Sequence, residues 1–209
     1  IGEEAFYRCN GMTSVTIPDG LTSIGDYAFR SCSKLTSITF PVGATNLGEG
    51  AFRDCSGLTS MTLPSGVTSV ASSLFYSCSG LKSVTLPDTV TAIEMSAFSG
   101  CYALESIAIP SAVTSIGNYA FYHCEKLTEI ALPNVLTTIG NKAFGYCKGL
   151  TSVVIPKSVT SVGEYIFEYC NYSLTINCEC KKADATGWNK NWNAGSSGYT
   201  LKVVWEYVA

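Results

Sequence analysis

The chain has 209 residues, 14 % of them charged, and a formal net charge of −3, so no basic excess draws it to nucleic acid or to an anionic membrane. No apolar run approaches the roughly 18 residues that span a bilayer, so membrane insertion is not expected of this segment. Ten cysteines and nineteen glycines leave a disulfide scaffold and a glycine-punctuated repeat open, and spacing decides between them.

Three columns of residues recur at a step of 23 along the chain. Phe6, Phe29, Phe52, Phe75, Phe98, Phe121, Phe144 and Phe167 form the first, and Cys9, Cys32, Cys55, Cys78, Cys101, Cys124, Cys147 and Cys170 the second. Pro18, Pro41, Pro64, Pro87, Pro110, Pro133 and Pro156 form the third. Chance does not align three residue types in this way, and a single globular core has no need of it; this is a repeat array. Ile1-Gly2 matches the interior of the repeat, so the natural N-terminus is expected upstream, and the lack of a signal peptide in this segment carries little weight.

One turn, Leu35 to Gly57, shows what each element does. Leu35, Ile38 and Phe40 give L-x-x-I-x-F, with Ile38 and Phe40 on one side of a strand. Pro41 has no N–H to donate and ends the ladder. A short second extended segment then runs to a glycine (Gly25, Gly48, Gly117, Gly140, Gly163) suited to a positive-φ corner. The next residue is Glu3, Asp26, Glu49, Ser72, Asn118, Asn141 or Glu164, and several of these can cap a brief helical turn carrying the Ala-Phe pair. Stacking such turns at about 4.8 Å joins their Leu, Ile/Val, aliphatic and Phe positions into one core.

The pattern L-x-x-I-x-L-P-x-x-V-T-x-I-G-x-x-A-F-x-x-C resembles the BspA-like (Treponema-type) class of leucine-rich repeats. The resemblance implies a leucine-rich-repeat solenoid: a β-rich, right-handed superhelix of 23-residue turns with short helical turns, in one elongated domain. It places about eight repeats in residues 1–178 and a C-terminal cap in residues 179–209. A solenoid must hide the apolar edge of its last turn. Trp188 and Trp192 stand four apart, as one helical turn would need to lay both over that edge, and Leu201 to Tyr207 reads as a closing strand. The resemblance also implies a secreted or cell-surface protein of host-associated microbes, with adhesion to host proteins as its role, and it supplies no ligand motif to carry over by residue.

Little in the chain suits catalysis. One cysteine per 23 residues does not give the clustered thiolates of a metal site. Equivalent cysteines in stacked turns have parallel Cα–Cβ vectors, which suits the torsion of a disulfide poorly, so buried free thiols are expected. Cys178 and Cys180 are two apart on a strand, and Cys178 falls in the core column of Ile155. The single histidine, His123, shares a variable column with Asp54, Ser77, Gly100 and Tyr146 that reads as surface, and no P-loop, GxSxG, HExxH or paired-carboxylate motif is present. No catalytic residue, metal or cofactor is expected, and the chain is not expected to be an enzyme.

The outward columns are more informative. Ser14, Ser37, Ser60, Ser83, Ser106 and Ser152, beside Thr16, Thr39, Thr62 and Thr85, make a hydroxyl face on the main sheet, and Thr22 through Thr160 make a second column after the prolines. These read as soluble strand faces with cross-turn hydrogen bonds. Toward the C-terminal half the pattern changes to Glu105, Ala108, Glu129, Ala131 and Val154, while Tyr119, Tyr122, Tyr146, Tyr165, Tyr169 and Tyr172 gather in the corner columns. Tyrosine with polar neighbours favours recognition. The candidate ligand-binding residues are therefore Tyr119, Tyr122, His123, Tyr146, Tyr165, Tyr169, Glu105 and Glu129. The expected function is non-catalytic recognition of a protein ligand, such as a host extracellular protein. A glycan-binding module using the Ser/Thr and Tyr columns and a structural stalk presenting another domain stay open beside it.

Overall fold

Pro18 and its equivalents end the ladder of every repeat, so main-sheet strands are three or four residues long before the chain bends. The computed structural model describes residues 1–41, 43–195 and 200–208; Val42 of the turn quoted above, and 196–199 and Ala209 of the C-terminal stretch, lie outside the described residues. Two rows of parallel strands run along the solenoid, each paired in stretches and not continuously. The main ladder takes β1 (Ser14–Thr16), β3 (Ser37–Thr39), β5 (Ser60–Thr62), β7 (Ser83–Thr85), β11 (Ser152–Ile155), β13 (Thr175–Cys178) and β14 (Lys202–Trp205). The second takes β2 (Ser23–Ile24), β4 (Asn46–Leu47), β6 (Ser69–Val70), β8 (Ala92–Ile93), β9 (Ser115–Ile116), β10 (Thr138–Ile139) and β12 (Ser161–Val162). Registry follows the sequence period: Ser14 faces Ser37 and Thr16 faces Thr39 in one ladder, and Thr138 faces Ser115 and Ser161 in the other.

The core is one continuous column of side chains. Ile24, Leu47, Val70, Ile93, Ile116, Ile139 and Val162 are buried in it, one per turn. The phenylalanines from Phe6 to Phe167 form an unbroken stack, with centroids 5.0 to 5.9 Å apart and planes within 6 to 17° of parallel. The stack follows from the fold: a repeat rise close to the thickness of a ring leaves each Phe no room but the face of its neighbours.

The Ala-Phe pair does not sit on a helical turn, contrary to the sequence expectation. The N–H groups of Tyr119, Phe121 and His123 each donate to the next turn, to the carbonyls of Asn141, Ala143 and Gly145, at 2.8 Å. Between them, Tyr122 N–H returns to the Tyr119 carbonyl and Cys124 N–H to the Phe121 carbonyl, both at 3.1 Å. An α-helix requires successive N–H groups to bond four residues back. Here alternate groups already belong to the next turn, so the segment becomes a pair of tight turns with left-handed residues at Tyr119 (φ 57°) and His123 (φ 62°).

Two further expectations are corrected by the same stacking. The residue after the glycine caps the neighbouring turn, not a helix of its own: Asn118 Oδ1 accepts the N–H of Asn141, and Asn141 Oδ1 that of Glu164, each at 2.7 Å. The glycine column does not supply positive φ, which among glycines occurs at Gly20, Gly50 and Gly100. It allows turns to approach: a Cβ on Gly117 would lie 2.7 Å from the Glu94 carbonyl carbon and the Met95 nitrogen, and one on Gly25 2.7 Å from the Glu3 nitrogen. Ala71 and Glu94 occupy the same column, so most turns use the close approach and not all.

Beyond Cys178 the ladders continue through a longer excursion that includes a single 3-10 turn at Lys182–Asp184. Trp188 bridges Val162, extending the second ladder, and the Trp192 carbonyl accepts the N–H of Ile166 at 3.0 Å. Trp188 and Trp192 are both buried, although not on one helical turn as expected; their rings meet edge to face at 4.9 Å. Trp188 Nε1 donates to the Val159 carbonyl at 3.1 Å, which satisfies the one polar atom of that buried ring. In the stretch expected as a closing strand, β14 pairs in parallel with β13, setting Trp205 opposite Cys178.

Candidate ligand-binding surface

Two left-handed positions recur in each turn of the tight-turn segment, and the C-terminal turns fill them with aromatics and a lysine: Tyr119 and His123, Lys142 and Tyr146, Tyr165 and Tyr169. Bulky residues adopt this conformation reluctantly. The inter-turn hydrogen bonds impose it regardless of residue type, since Arg8, Ser31, Asp54 and Ser77 adopt it in the same column. One consequence is a second aromatic ladder outside the core. His123 stacks on Tyr146 at 4.1 Å and 23°, and Tyr146 on Tyr169 at 4.4 Å and 25°. Tyr122 joins from the adjoining column, edge-on to Tyr119, His123 and Tyr146 at 5.4, 4.7 and 5.2 Å.

Ion pairs frame the ladder. Lys142 Nζ reaches Glu168 Oε2 at 2.9 Å and lies over the Tyr165 ring at 5.8 Å. Lys148 Nζ reaches Glu125 Oε2 at 3.0 Å, and the other Glu125 oxygen lies 3.2 Å from His123 Nδ1. The hydrogen bond from Lys148 holds the Glu125 carboxyl below its ordinary range, and the hydrogen bond to Glu168 raises Lys142. Five of the eight residues singled out from sequence (Tyr119, Tyr122, His123, Tyr146 and Tyr169) are thus in one contact network, and Tyr165 adjoins it through Lys142.

Glu105 and Glu129 are elsewhere. Both are exposed on the main-sheet side, where Glu129 lines a groove with Ala108, Ala131 and Val154. A patch missed from sequence lies in the N-terminal turns, in the columns that carry the aromatic ladder further on. Arg53 lies over Tyr76 at 4.3 Å, Arg30 over Tyr7 and Tyr27 at 5.5 and 5.7 Å, and Asp54 sits 3.6 and 3.5 Å from the Nε atoms of Arg30 and Arg53. Tyr7, Arg30, Arg53, Tyr76 and Tyr122 share one repeat position, and reading that column alone would have found the patch.

The hydroxyl column after the prolines is engaged internally. Thr91, Thr114 and Thr137 each donate Oγ1–H to the equivalent carbonyl one turn back, at 3.2, 3.3 and 3.0 Å. The thiols point inward: all ten cysteines are free, and burial pushes Cys55 and Cys170 up to about 12, away from the depressed values of reactive thiols. Among the described residues no cluster of three or more His, Cys, Asp or Glu side chains is arranged to hold a metal, and no helix is long and apolar enough to cross a membrane.

Stacked 23-residue turns, a parallel ladder of short strands and an aliphatic-phenylalanine core define a leucine-rich-repeat solenoid. The chain belongs to the BspA type leucine-rich repeat family, whose repeat region matches in six copies over residues 1–114 and 45–173. Among solved structures it is similar to a leucine-rich repeat protein from Bacteroides ovatus, with 30 % identity and a TM-score of 0.78 over 98 % of this chain and 58 % of that one. It therefore spans little more than half the length of that protein. It is also similar to the T. pallidum leucine-rich repeat protein, at 28 % identity and a TM-score of 0.55 over 78 % of this chain and 68 % of that one. The pneumococcal vaccine antigen PcpA shares the fold at 17 % identity and a TM-score of 0.56, over 94 % of this chain and 68 % of that one. Among curated proteins none matches the chain.

Proposed function

We propose that this chain is a non-catalytic binding module, secreted or displayed at a microbial cell surface, that recognises a protein ligand through the turn face of its C-terminal half. In this reading residues 1–178 are the repeats and 179–209 cap them, with Trp188, Trp192 and Trp205 closing the apolar edge. The observation that carries the reading is the outer aromatic ladder from His123 through Tyr146 to Tyr169, at positions where earlier turns have Asp54, Ser77 and Gly100. A solenoid can vary outward positions without disturbing its core. Recognition energy concentrates in a few aromatic or Arg anchors ringed by polar groups, and here Lys142, Lys148, Glu125 and Glu168 provide the ring. Because the rings of the ladder stack on one another, their edges and hydroxyls face outward more than their flat faces, which suits a protein better than a sugar ring seeking a platform.

The test is parallel screening of the chain on an array of host extracellular proteins and on a glycan array. The reading expects a protein hit whose affinity falls at least tenfold in a Tyr119→Ala/Tyr169→Ala double variant and is unchanged by Thr39→Ala/Thr62→Ala. A glycan hit with the opposite variant pattern would replace it with the carbohydrate-binding reading. That alternative draws on the exposed main-sheet hydroxyls held in register, Ser60 opposite Ser83 and Thr62 opposite Thr85.

A further inference from the structure

The main ladder, also unpaired between β3 and β5, is interrupted over a longer span between β7 and β11. The repeats containing Ser106–Ala108 and Glu129–Ala131 hold the strand positions of their neighbours without forming strands, and among the described residues no inter-turn hydrogen bond joins 106–109 to 129–132. Cross-turn bonds run up to this point, with Glu105 N–H on the Lys82 carbonyl at 3.2 Å and Thr128 N–H on the Glu105 carbonyl at 3.3 Å, and a regular ladder resumes at β11 and β13. The outward position that holds Thr16, Thr39, Thr62 and Thr85 in the paired turns becomes Ala108 and Ala131 over the interruption and Val154 in β11 beyond it. Loss of side-chain bulk and of the ladder leaves a groove of about 600 Å³, floored by Ile107, Ile130 and Val153 and walled by the two alanines and Val154.

We infer that this groove is a second recognition site, and that it takes an extended polypeptide segment in which a lysine or arginine flanks an aliphatic side chain. The floor and walls are apolar, which suits the aliphatic group. Charge selects its neighbour: Glu129 lines the groove and Glu105 is exposed on the preceding turn, and neither takes part in any ion pair among the described residues. Acidic side chains beside an apolar trough favour a cationic partner and repel an anionic one. The trough crosses three successive turns, with lining residues from 106–108, 129–132 and 152–154, so a ligand that fills it lies extended across them. This site does not depend on the turn-face reading, because its residues lie outside the network of Tyr119, Tyr122, His123, Tyr146 and Tyr169.

The probe is an array of immobilised hexapeptides alternating Val or Leu with a variable residue set to Lys, Arg, Ser or Glu. The chain should be retained by the Lys and Arg members and not by the Ser or Glu members. Ala131→Arg, which fills the trough and adds a repelling charge, should abolish retention, and Glu129→Gln at an exposed position should weaken it at least fivefold. Tyr119→Ala/Tyr169→Ala should leave it unchanged, which separates this site from the turn face. Retention without charge preference, retention that survives both groove variants, or no retention by any member would each overturn the inference; a melting curve for Ala131→Arg guards against misfolding, and Glu129→Gln decides the matter if that variant unfolds.

Discussion

Cys101 Sγ–H donates to the carbonyl of Phe75, one turn earlier, at 3.2 Å, and the same carbonyl accepts the N–H of Cys78 at 3.1 Å. The arrangement recurs from Cys32 on Phe6 to Cys170 on Phe144. Each Phe carbonyl thus spends one lone pair within its own turn and the other on the next. The cysteine column is therefore more than an apolar filler: its weak donor satisfies a buried acceptor between turns.

This geometry sets a reactivity and a pH dependence. Burial raises Cys55 and Cys170 from an ordinary 9.0 to about 12, so the folded state holds protons that the unfolded chain releases. A folded-state pKa above the unfolded one gives stability that is complete below about pH 9 and is lost as pH rises toward 12. The midpoint in urea should be flat from pH 7 to 8.5 and fall steeply above pH 9.5. At pH 8 the native protein should react slowly with iodoacetamide at Cys32 through Cys170, and all ten thiols should label once it is unfolded without reductant. A native protein whose ladder thiols label within minutes contradicts the assignment.

Phe98 lies between Phe75 at 5.4 Å and Phe121 at 5.3 Å and is fully buried. Phe98→Ala empties a ring-sized space that two rigid neighbours cannot close, and should cost about 3–5 kcal/mol. Phe6, only partly buried and stacked on one side by Phe29, should cost less when changed in the same way. Equal losses at the two positions in denaturant melts would show that stacking between turns is not what the column contributes.

The period, the core columns and the parallel registry were all legible because every turn buries the same positions, so Phe29 and Phe144 announce the same environment. The turn conformation was not. Nothing about Tyr119, His123 or Tyr165 marks a left-handed residue, because that φ is imposed by hydrogen bonds to the next turn and not by the residue's own preference. For the same reason Gly117 and Gly140 looked like positive-φ corners when their role is to let turns close up. Of the candidate site, the tyrosines could be listed but not sorted: sequence grouped Glu129 with Tyr146, and the fold puts them on different faces. The groove beside Glu129 was hidden, since alanine in place of threonine reads as a mild change until the ladder is seen to open.

The glycine column offers a test with an internal control. A Cβ on Gly140 would press into the Asn118 nitrogen and come within 2.6 Å of the Gly117 carbonyl carbon, whereas one on Gly2, in the same repeat position, meets nothing within 4 Å. Gly140→Ala should destabilise by about 1–3 kcal/mol through overpacking of backbone that cannot easily yield, and Gly2→Ala should be close to neutral or slightly stabilising. If both changes are neutral, the turns have slack that the stacked hydrogen bonds do not suggest.

The last expectation concerns which tyrosines report on ligand binding without disturbing the fold. Tyr122 and Tyr146, two of the candidates singled out from sequence, sit at the centre of the outer ladder and are poor probes. Tyr146 is sandwiched between His123 and Tyr169 and touched by Tyr122, so its removal breaks the outer ladder at the centre. Desolvation by the neighbouring rings, followed by the nearby Tyr169 and Glu168 groups, pushes its phenol up. Tyr146→Ala should therefore lower the melting temperature as well as any affinity, and its effect on binding would be uninterpretable by itself. Tyr119 and Tyr169 stand at the margins of the network, 37 % and 43 % exposed, and each loses fewer ring contacts when removed. Tyr169→Ala should leave the melting temperature within a degree or two while weakening a turn-face ligand about tenfold, as anchors in such patches do. The His123→Ala/Tyr146→Ala cycle should show coupling in thermal stability, because the two rings stack at 4.1 Å, and His123→Ala/Tyr119→Ala should show little, because no direct ring contact joins that pair. Additive behaviour for His123 and Tyr146 would mean that the ladder does not persist in solution, and with it would go the pre-organised surface on which turn-face recognition depends.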